Sequence, residues 1–342
     1  MSRSSPEFEC TFMKQFMIRV IVTALFVVFS CAAASSQQRI PTGGTIPDVR
    51  GFNNKISNAD EVSKISVVVR HVAGKVYVIA GAGGNVVVFA GDDGIMLVDT
   101  NFIPFYDPIM AAIRQISDKP IRFVANTHSH LDHVQNNENM AKQGAVIIST
   151  PNLRAAMLKV AGTGPNPRGG LPVFTSPGML TLHFNGEEVV FVPLKPAHTD
   201  GDAAVYFRGS DVWAFGDVFT RDTPAIGVAN GGTIEGFVEN YNLALDMTTP
   251  KTAFVPGHGQ LSTRADLTEV RDVITTIHAR FRDMVAQGMT LEQIKEARPS
   301  KEFDARWATE NISPTTGNTI DRWYRDMYAE AVAEAAAKKQ KQ

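Results

Sequence analysis

Cysteine is nearly missing from this chain: 342 residues hold two, Cys10 and Cys31, and none follows position 31. The body of the protein therefore has no disulfide framework and no thiolate to offer a metal. An excess of charge of one sign is missing too. Lys and Arg number 33 against 35 Asp and Glu, a net charge of −2, so there is no electrostatic case for a nucleic-acid partner. A low-complexity linker is absent beyond the N-terminal stretch. What is present is an ordinary globular mix, 44% hydrophobic and 20% charged, long enough for one large domain or two small ones.

The N-terminus reads as an export signal. Lys14 and Arg19 make a basic n-region, Val20 to Phe29 an apolar h-region, and Ala32-Ala33-Ala34 a small-residue cleavage site. The apolar run is too short to span a bilayer comfortably, which favours cleavage over a membrane anchor. Met13 is the natural start, because Met1 to Phe12 carries Glu7 and Glu9 ahead of the n-region. Removing residues 1–36 takes away three basic and two acidic side chains and leaves a net charge of −3. The expectation is a periplasmic or secreted protein without stable membrane association. Val28-Phe29-Ser30-Cys31 resembles a lipoprotein box only loosely, since Phe29 fits it poorly.

Residues 37–64 are polar and rich in Gly, Pro and Asn, and read as a lead-in strap to a single domain over 65–338. Four β-rich runs follow, Ile65–His71, Lys75–Ala80, Asn85–Ala90 and Ile95–Asp99, separated by turn signals such as Gly91-Asp92-Asp93-Gly94. Tyr106 to Ile116 has helical spacing and Ile121 to Ala125 is a buried-type strand. A second group of strands is expected at Leu180–Phe184, Glu188–Leu194, Ala203–Phe207 and Val212–Phe215. Each group closes on an apolar strand ending in an aspartate, Asp99 and Asp217, as two facing halves would. Leu267, Val270, Ile274, Ile277, Phe281 and Met284 form one stripe of a helix over 264–287. Ile320, Trp323, Met327 and Ala331 do the same in a last helix near 320–336, which should fray into the terminal Lys-Lys-Gln-Lys-Gln. Two strand sets with helices at intervals predict an α/β sandwich.

The strongest chemical signal is Thr127-His128-Ser129-His130-Leu131-Asp132-His133, directly after a strand. Residues two apart in an extended segment point the same way, so His128 and His130 can hold one ion together. As the chain leaves the strand, Asp132 and His133 turn towards a second. Imidazole nitrogen and carboxylate oxygen are ligand types that zinc accepts. Three histidines and an aspartate in six residues do not serve as core filler, because such groups are costly to bury unpaired. His198 in Pro196-Ala197-His198-Thr199-Asp200-Gly201-Asp202 and His258 in Val255-Pro256-Gly257-His258-Gly259 each sit where a loop leaves a strand. Alone, either would more often be structural. Asp217 at its strand end is the remaining candidate.

In these motifs the chain resembles the metallo-β-lactamase superfamily, over roughly Val67 to Gly259. The resemblance implies an αβ/βα four-layer sandwich of two mixed β-sheets with flanking helices. It implies a first ion held by His128, His130 and His198, a second held by Asp132, His133 and His258, and Asp217 bridging the two. Asp132 is also the residue assigned a catalytic role, and Asp99 supports the ligands from behind. The implied cofactor is two Zn2+ per chain. The implied chemistry needs no nucleophilic side chain, because two cations about 3.5–4 Å apart lower the pKa of a shared water to about 7 and clamp the reacting oxygens. Ser129 is turned away by alternation and packs behind the site.

The chain departs from its relatives in two places. Several β-lactamase subclasses have Cys or Ser where this chain has Asp217, and an Asp there resembles lactonases and thioester hydrolases. After His133 the family usually has Gly-Gly, where this chain reads Val134-Gln135-Asn136-Asn137. The expected reaction is hydrolysis of a small carboxylic ester, lactone, thioester or β-lactam. Export favours a β-lactam and Asp217 an ester or lactone.

Alternatives are an iron-dependent sulfur or persulfide oxidoreductase of the same fold, and a phosphodiesterase. Di-iron relatives place a Glu where this chain has His130, a mono-iron dioxygenase would not need Asp132 and His258, and nuclease relatives carry an inserted domain or RNA-binding arm. His71, His183 and His278 receive no role, and His278 is expected half-exposed beside its helix stripe. Gly162 to Gly170 lacks the Lys-Ser/Thr ending of a phosphate loop and reads as a flap over the metals. Arg221, four residues past Asp217, is weighed as an anchor for a substrate carboxylate against the plainer reading of a surface cation.

Overall fold

Alternation along each strand decides what it packs against. In β3 (Val86–Gly91), Val86 and Val88 face one apolar layer while Val87 and Phe89 face another. In β11 (Val212–Gly216), Val212 and Ala214 share the second of these layers, and Trp213 and Phe215 turn to a third. A strand that is apolar on both faces must be covered on both, so each sheet lies between two layers. The structure is a computed structural model and describes residues 66–81, 83–161, 169–221, 226–304 and 319–341. The expected signal peptide and strap, both cysteines and most of the Gly162–Gly170 flap lie outside the described residues.

One sheet has seven strands in sequence order: β1 (Val68–Ala73), β2 (Val76–Ala80), β3, β4 (Gly94–Val98), β5 (Ile121–Ala125), β6 (Val146–Ser149) and β7 (Phe174–Thr175). It is antiparallel from β1 to β4 and parallel from β4 to β7. The other has five, in the order β12 (Ala253–Pro256), β11, β10 (Ala203–Phe207), β9 (Glu187–Pro193) and β8 (Leu180–Phe184), with only β11 and β12 parallel. Both sheets are mixed. The layer between them joins Val76, Val87, Phe89, Met96 and Val98 to Val189, Phe191, Val205, Phe207 and Val212.

Helices close the outer faces. Against the first sheet, α1 (Tyr106–Ile116) buries Ile109, Ala112 and Ile113. The last three residues of the His-rich motif lie in the short helix α2 (Leu131–Val134), α3 (Asn137–Lys142) follows it, and α4 (Pro151–Ala161) comes after β6. Against the second sheet lie α5 (Ile234–Met247), α6 (Arg264–Ala286), α7 (Leu291–Ala297) and α8 (Thr319–Lys341). The result is the four-layer sandwich that the sequence predicts.

Particular elements differ from the sequence reading. The last helix runs on to Lys341 instead of fraying, with Trp323, Met327 and Ala331 buried; the side chain of Ile320 lies outside the described residues. The sequence reading did not anticipate β6, β7 or α5. β6 is four residues and β7 two, too short to carry a period. α5 starts from Thr233, whose hydroxyl accepts from Gly236 N–H, a cap hidden behind the preceding glycines. Among the described residues no helix is long and apolar enough to cross a membrane.

Candidate metal centre

The topology brings chemistry to the carboxyl ends of parallel strands, where an open α/β sheet leaves room for a ligand. Asp99 follows β4, the His128 motif follows β5, Asp217 follows β11 and His258 follows β12. His198 lies in the loop between β9 and β10. Backbone hydrogen bonds sew these loops together: Asn85 N to Gly257 O and Ala203 N to Thr127 O, both 2.7 Å, cross between the two sheets, and Gly257 N to Gly216 O at 2.7 Å joins β12 to β11. Approach is so close at Gly257 that a Cβ there would fall on Asp217 Oδ1.

Two ligand sets result. His128, His130, His198 and Asp217 each offer one atom within 4.8 Å of the others, and so do Asp132, His133 and His258. His128 Nε2 and His198 Nε2 lie 3.1 and 2.9 Å from His130 Nδ1. Asp217 belongs to both neighbourhoods. Its Oδ2 lies 3.7 Å from His128 Nε2, 3.5 Å from His198 Nε2 and 3.3 Å from His258 Nε2, and its Oδ1 lies 3.3 Å from His133 Nε2. Asp132 Oδ2 closes the second set at 3.2 Å from His258 Nε2 and 3.6 Å from His133 Nε2. Asp217 Oδ1 is buried and makes no hydrogen bond of good geometry. A buried carboxylate oxygen without a donor, facing imidazole nitrogens, fits a cation and does not fit an apolar pocket. The all-nitrogen-and-oxygen donor set suits zinc.

The supporting hydrogen bonds fix which ring nitrogen faces inward. Asp99 accepts from Thr127 N–H at 2.8 Å and from Thr127 Oγ1–H at 2.7 Å, and its Oδ2 takes His133 Nδ1–H at 2.8 Å. With its proton committed to Asp99, Thr127 Oγ1 accepts from His128 Nδ1 at 3.0 Å. The network thus assigns Nδ1–H to both His128 and His133 and turns each Nε2 towards the centre. Asp99 itself adopts φ 63°, a left-handed conformation that aspartate tolerates better than most residues.

Charge differs across the centre. Burial, reinforced by His198, holds His130 down at about 4, and burial pushes His128 well below its ordinary value. Burial would do the same to His133 and His258, but Asp217 and Asp132 overcome it. His133 is raised well above its ordinary value and His258 to about 10. Burial works against ionisation of the partner carboxylates as well. His133 and His258 nonetheless hold Asp132 down at about 2, and His258, His133 and His128 pull Asp217 well below the usual carboxylate range.

Several residues have supporting roles that the sequence does not assign to them. Asp202 is buried and accepts from the backbone N–H of Ala197, His198 and Thr199 and from the Thr199 hydroxyl, at 2.6–3.3 Å, building the loop that presents His198. The residues that replace Gly-Gly also have a place. Asn136 donates to Thr100 O at 2.9 Å and Phe102 O at 2.6 Å, and Asn137 pairs with Asn126 and with the Thr100 hydroxyl. These buried amides tie α2 and α3 to the strand ends behind the ligands. Asn230, exposed, places Nδ2 3.3 Å from His130 Nε2.

Other candidates fall elsewhere. Arg221 is held at the surface by Asp266 Oδ1 at 2.7 Å and is not among the groups brought together. His71 bonds to Gly74 O and His183 is exposed on β8. His278 is buried, not half-exposed as the stripe suggested, because α8 covers the edge of α6 on which it sits.

Among curated proteins, no sequence matches this one. Among solved structures, a metallo-β-lactamase from Pontibacter korlensis is 16% identical, with a TM-score of 0.53, over 61% of this chain and 99% of its own. The stereoselective inverting sec-alkylsulfatase Pisa1 from Pseudomonas sp. is 18% identical, with a TM-score of 0.58, over 76% of this chain and 49% of its own. At such identities the likeness speaks for the fold. The sequence model of the metallo-beta-lactamase superfamily matches residues 79–261, more than half of the chain and all seven ligand-type residues, and the chain belongs to that superfamily.

Proposed function

We propose that this chain is an exported zinc hydrolase that cleaves a carboxylic ester, lactone, thioester or β-lactam bond in a small molecule at a two-ion centre. The observation that carries the reading is Asp217, whose two oxygens reach the two ligand sets at 3.3–3.7 Å. One ion would be held by His128, His130 and His198, the other by Asp132, His133 and His258. Such a pair supplies an activated water at neutral pH and polarises the bond to be broken.

The remaining work falls to the chain. Asp99 and Thr127 keep His128 and His133 in the ligating tautomer, and Asp202 keeps His198 in reach. Asp132 and His258, with side chains 20% and 19% exposed, form the open side of the centre where a substrate enters. Asp132 would use Oδ2 as its ligand atom and offer its other oxygen on this open side as the acceptor of a hydrogen bond from the attacking water. Asn230, exposed beside His130, borders the first set. The N-terminal signal features support export, and the near-neutral charge supports a small substrate over a polyanion.

The test is a screen of purified protein against a chromogenic β-lactam, a lactone, a thioester, an aryl phosphodiester and a secondary alkyl sulfate, with and without chelator, alongside metal analysis. Chelator-sensitive turnover of an acyl substrate with zinc bound is expected. Iron in place of zinc, or turnover of the phosphodiester or sulfate alone, would overturn the reading.

A further inference from the structure

Outside the centre, one other group of metal-ligand side chains converges among the described residues: His278 on α6 with Glu330 and Glu334 on α8. Each offers one atom within 4.8 Å of the others. Glu330 and Glu334 are four apart on one helix, so they share a face and repel each other. His278 is only 5% exposed. Its Nε2 and the Glu334 Oε1 are both buried, lie 3.3 Å apart, and do not adopt hydrogen-bond geometry. They meet as an ion pair rather than a well-formed hydrogen bond, which leaves lone pairs on both for a third party.

From this arrangement we propose that His278, Glu330 and Glu334 form a further cation site, suited to zinc, that clamps α8 to α6. The separation is compatible with such a site. Zinc bonds of about 2.0–2.2 Å at tetrahedral angles put nitrogen and oxygen ligands about 3.3–3.6 Å apart. The same spacing recurs in the ligand sets of the centre, at His133 Nε2 to Asp217 Oδ1 and His258 Nε2 to Asp217 Oδ2, both 3.3 Å. Arg282 occupies only Glu334 Oε2, at 3.3 Å, and leaves Oε1 for the ion. Glu330 accepts from Ile234 N–H at 2.6 Å and Glu235 N–H at 3.2 Å, and each of its oxygens keeps a second lone pair. Three protein ligands and a water complete a four-coordinate site. Because Glu330 also caps α5, the ion ties α8 to the start of that helix and to the Gly227–Thr233 loop that carries Asn230 to His130.

The experiment is equilibrium dialysis of the chelator-stripped full-length protein against micromolar zinc, with bound metal counted per chain. Wild type should bind one ion more than His278→Gln and one more than Glu334→Gln. His130→Ala, which damages only the catalytic centre, should retain that ion. The comparison reads a difference of one, so it holds whatever number the catalytic centre takes. If His278→Gln fails to fold, Glu334→Gln, at the solvent edge, is read alone with circular dichroism as its control. Equal zinc content in wild type and a folded Glu334→Gln overturns the proposal.

Discussion

The two ligand sets of the centre are built from the same residue types, yet they meet their protons differently. In the first, His128 and His130 are driven neutral by burial, and Asp217 is the sole carboxylate among four ligands. In the second, His133 faces Asp217, Asp132 and Asp99, and His258 faces Asp217 and Asp132, so both rings are held protonated against the cost of burial. In protein stripped of metal, His128 and His130 keep their lone pairs free for a cation, whereas the second set is a closed ion-pair network in which protons stand where a cation would. The lesson is that carboxylate count, not histidine count, decides which set a metal must compete for.

The largest expected effect comes from breaking either set outright. His130→Ala and Asp132→Ala should each abolish hydrolysis while circular dichroism and melting temperature stay near wild type, because the apolar layers do not depend on the ligands. Near wild-type turnover in either variant would show that the set it belongs to is not used. Asp99→Asn should follow. It weakens the acceptor shared by His133 Nδ1–H and Thr127, and so should lower activity or second-ion affinity roughly 10–100-fold. A larger loss of first-ion than second-ion affinity would contradict the direct contact with His133.

The third prediction concerns protons. A ligand histidine must be deprotonated before it binds metal, so a group held at about 10 gives up its proton on zinc binding at neutral pH. The second ion should therefore bind with proton release and lose affinity as pH falls, while His128 and His130, already neutral at pH 7, release none on the first. Calorimetric titration in buffers of different ionisation enthalpy separates the two steps; equal proton release on both would erase the distinction. The smallest effect is expected from Asn230→Ala. An exposed hydrogen bond to His130 Nε2 is worth about 1 kcal/mol, so turnover should fall roughly five-fold with both ions retained.

Much of this architecture was legible because strong periods and short spacings are local. Tyr106–Ile116, Ile121–Ala125, Leu180–Phe184 and Ala203–Phe207 have the bounds that their apolar patterns predict. The division of His128 and His130 from Asp132 and His133 was legible as well, since α2 starts immediately after His130 and turns the next two ligands to the other side. β6, β7 and α5 were not, because four residues, two residues and a helix cap behind glycines leave too little local signal.

What the sequence determined by itself is the kind of chemistry: ligand types, their spacing on one strand exit, and apolar strands that demand cover on both faces. Those follow from backbone geometry over a few residues. What only the tertiary structure decided is which distant groups share a neighbourhood. Asp217 lies between the two sets because Gly257 lets its loop pass close. Asp202 serves His198 instead of a metal, since the backbone of its own loop consumes its oxygens. Arg221 is drawn to Asp266. His278, read from its helix alone as half-exposed, is buried against two glutamates of a helix more than forty residues further along the chain. Such encounters depend on how layers pack, and no local pattern records them.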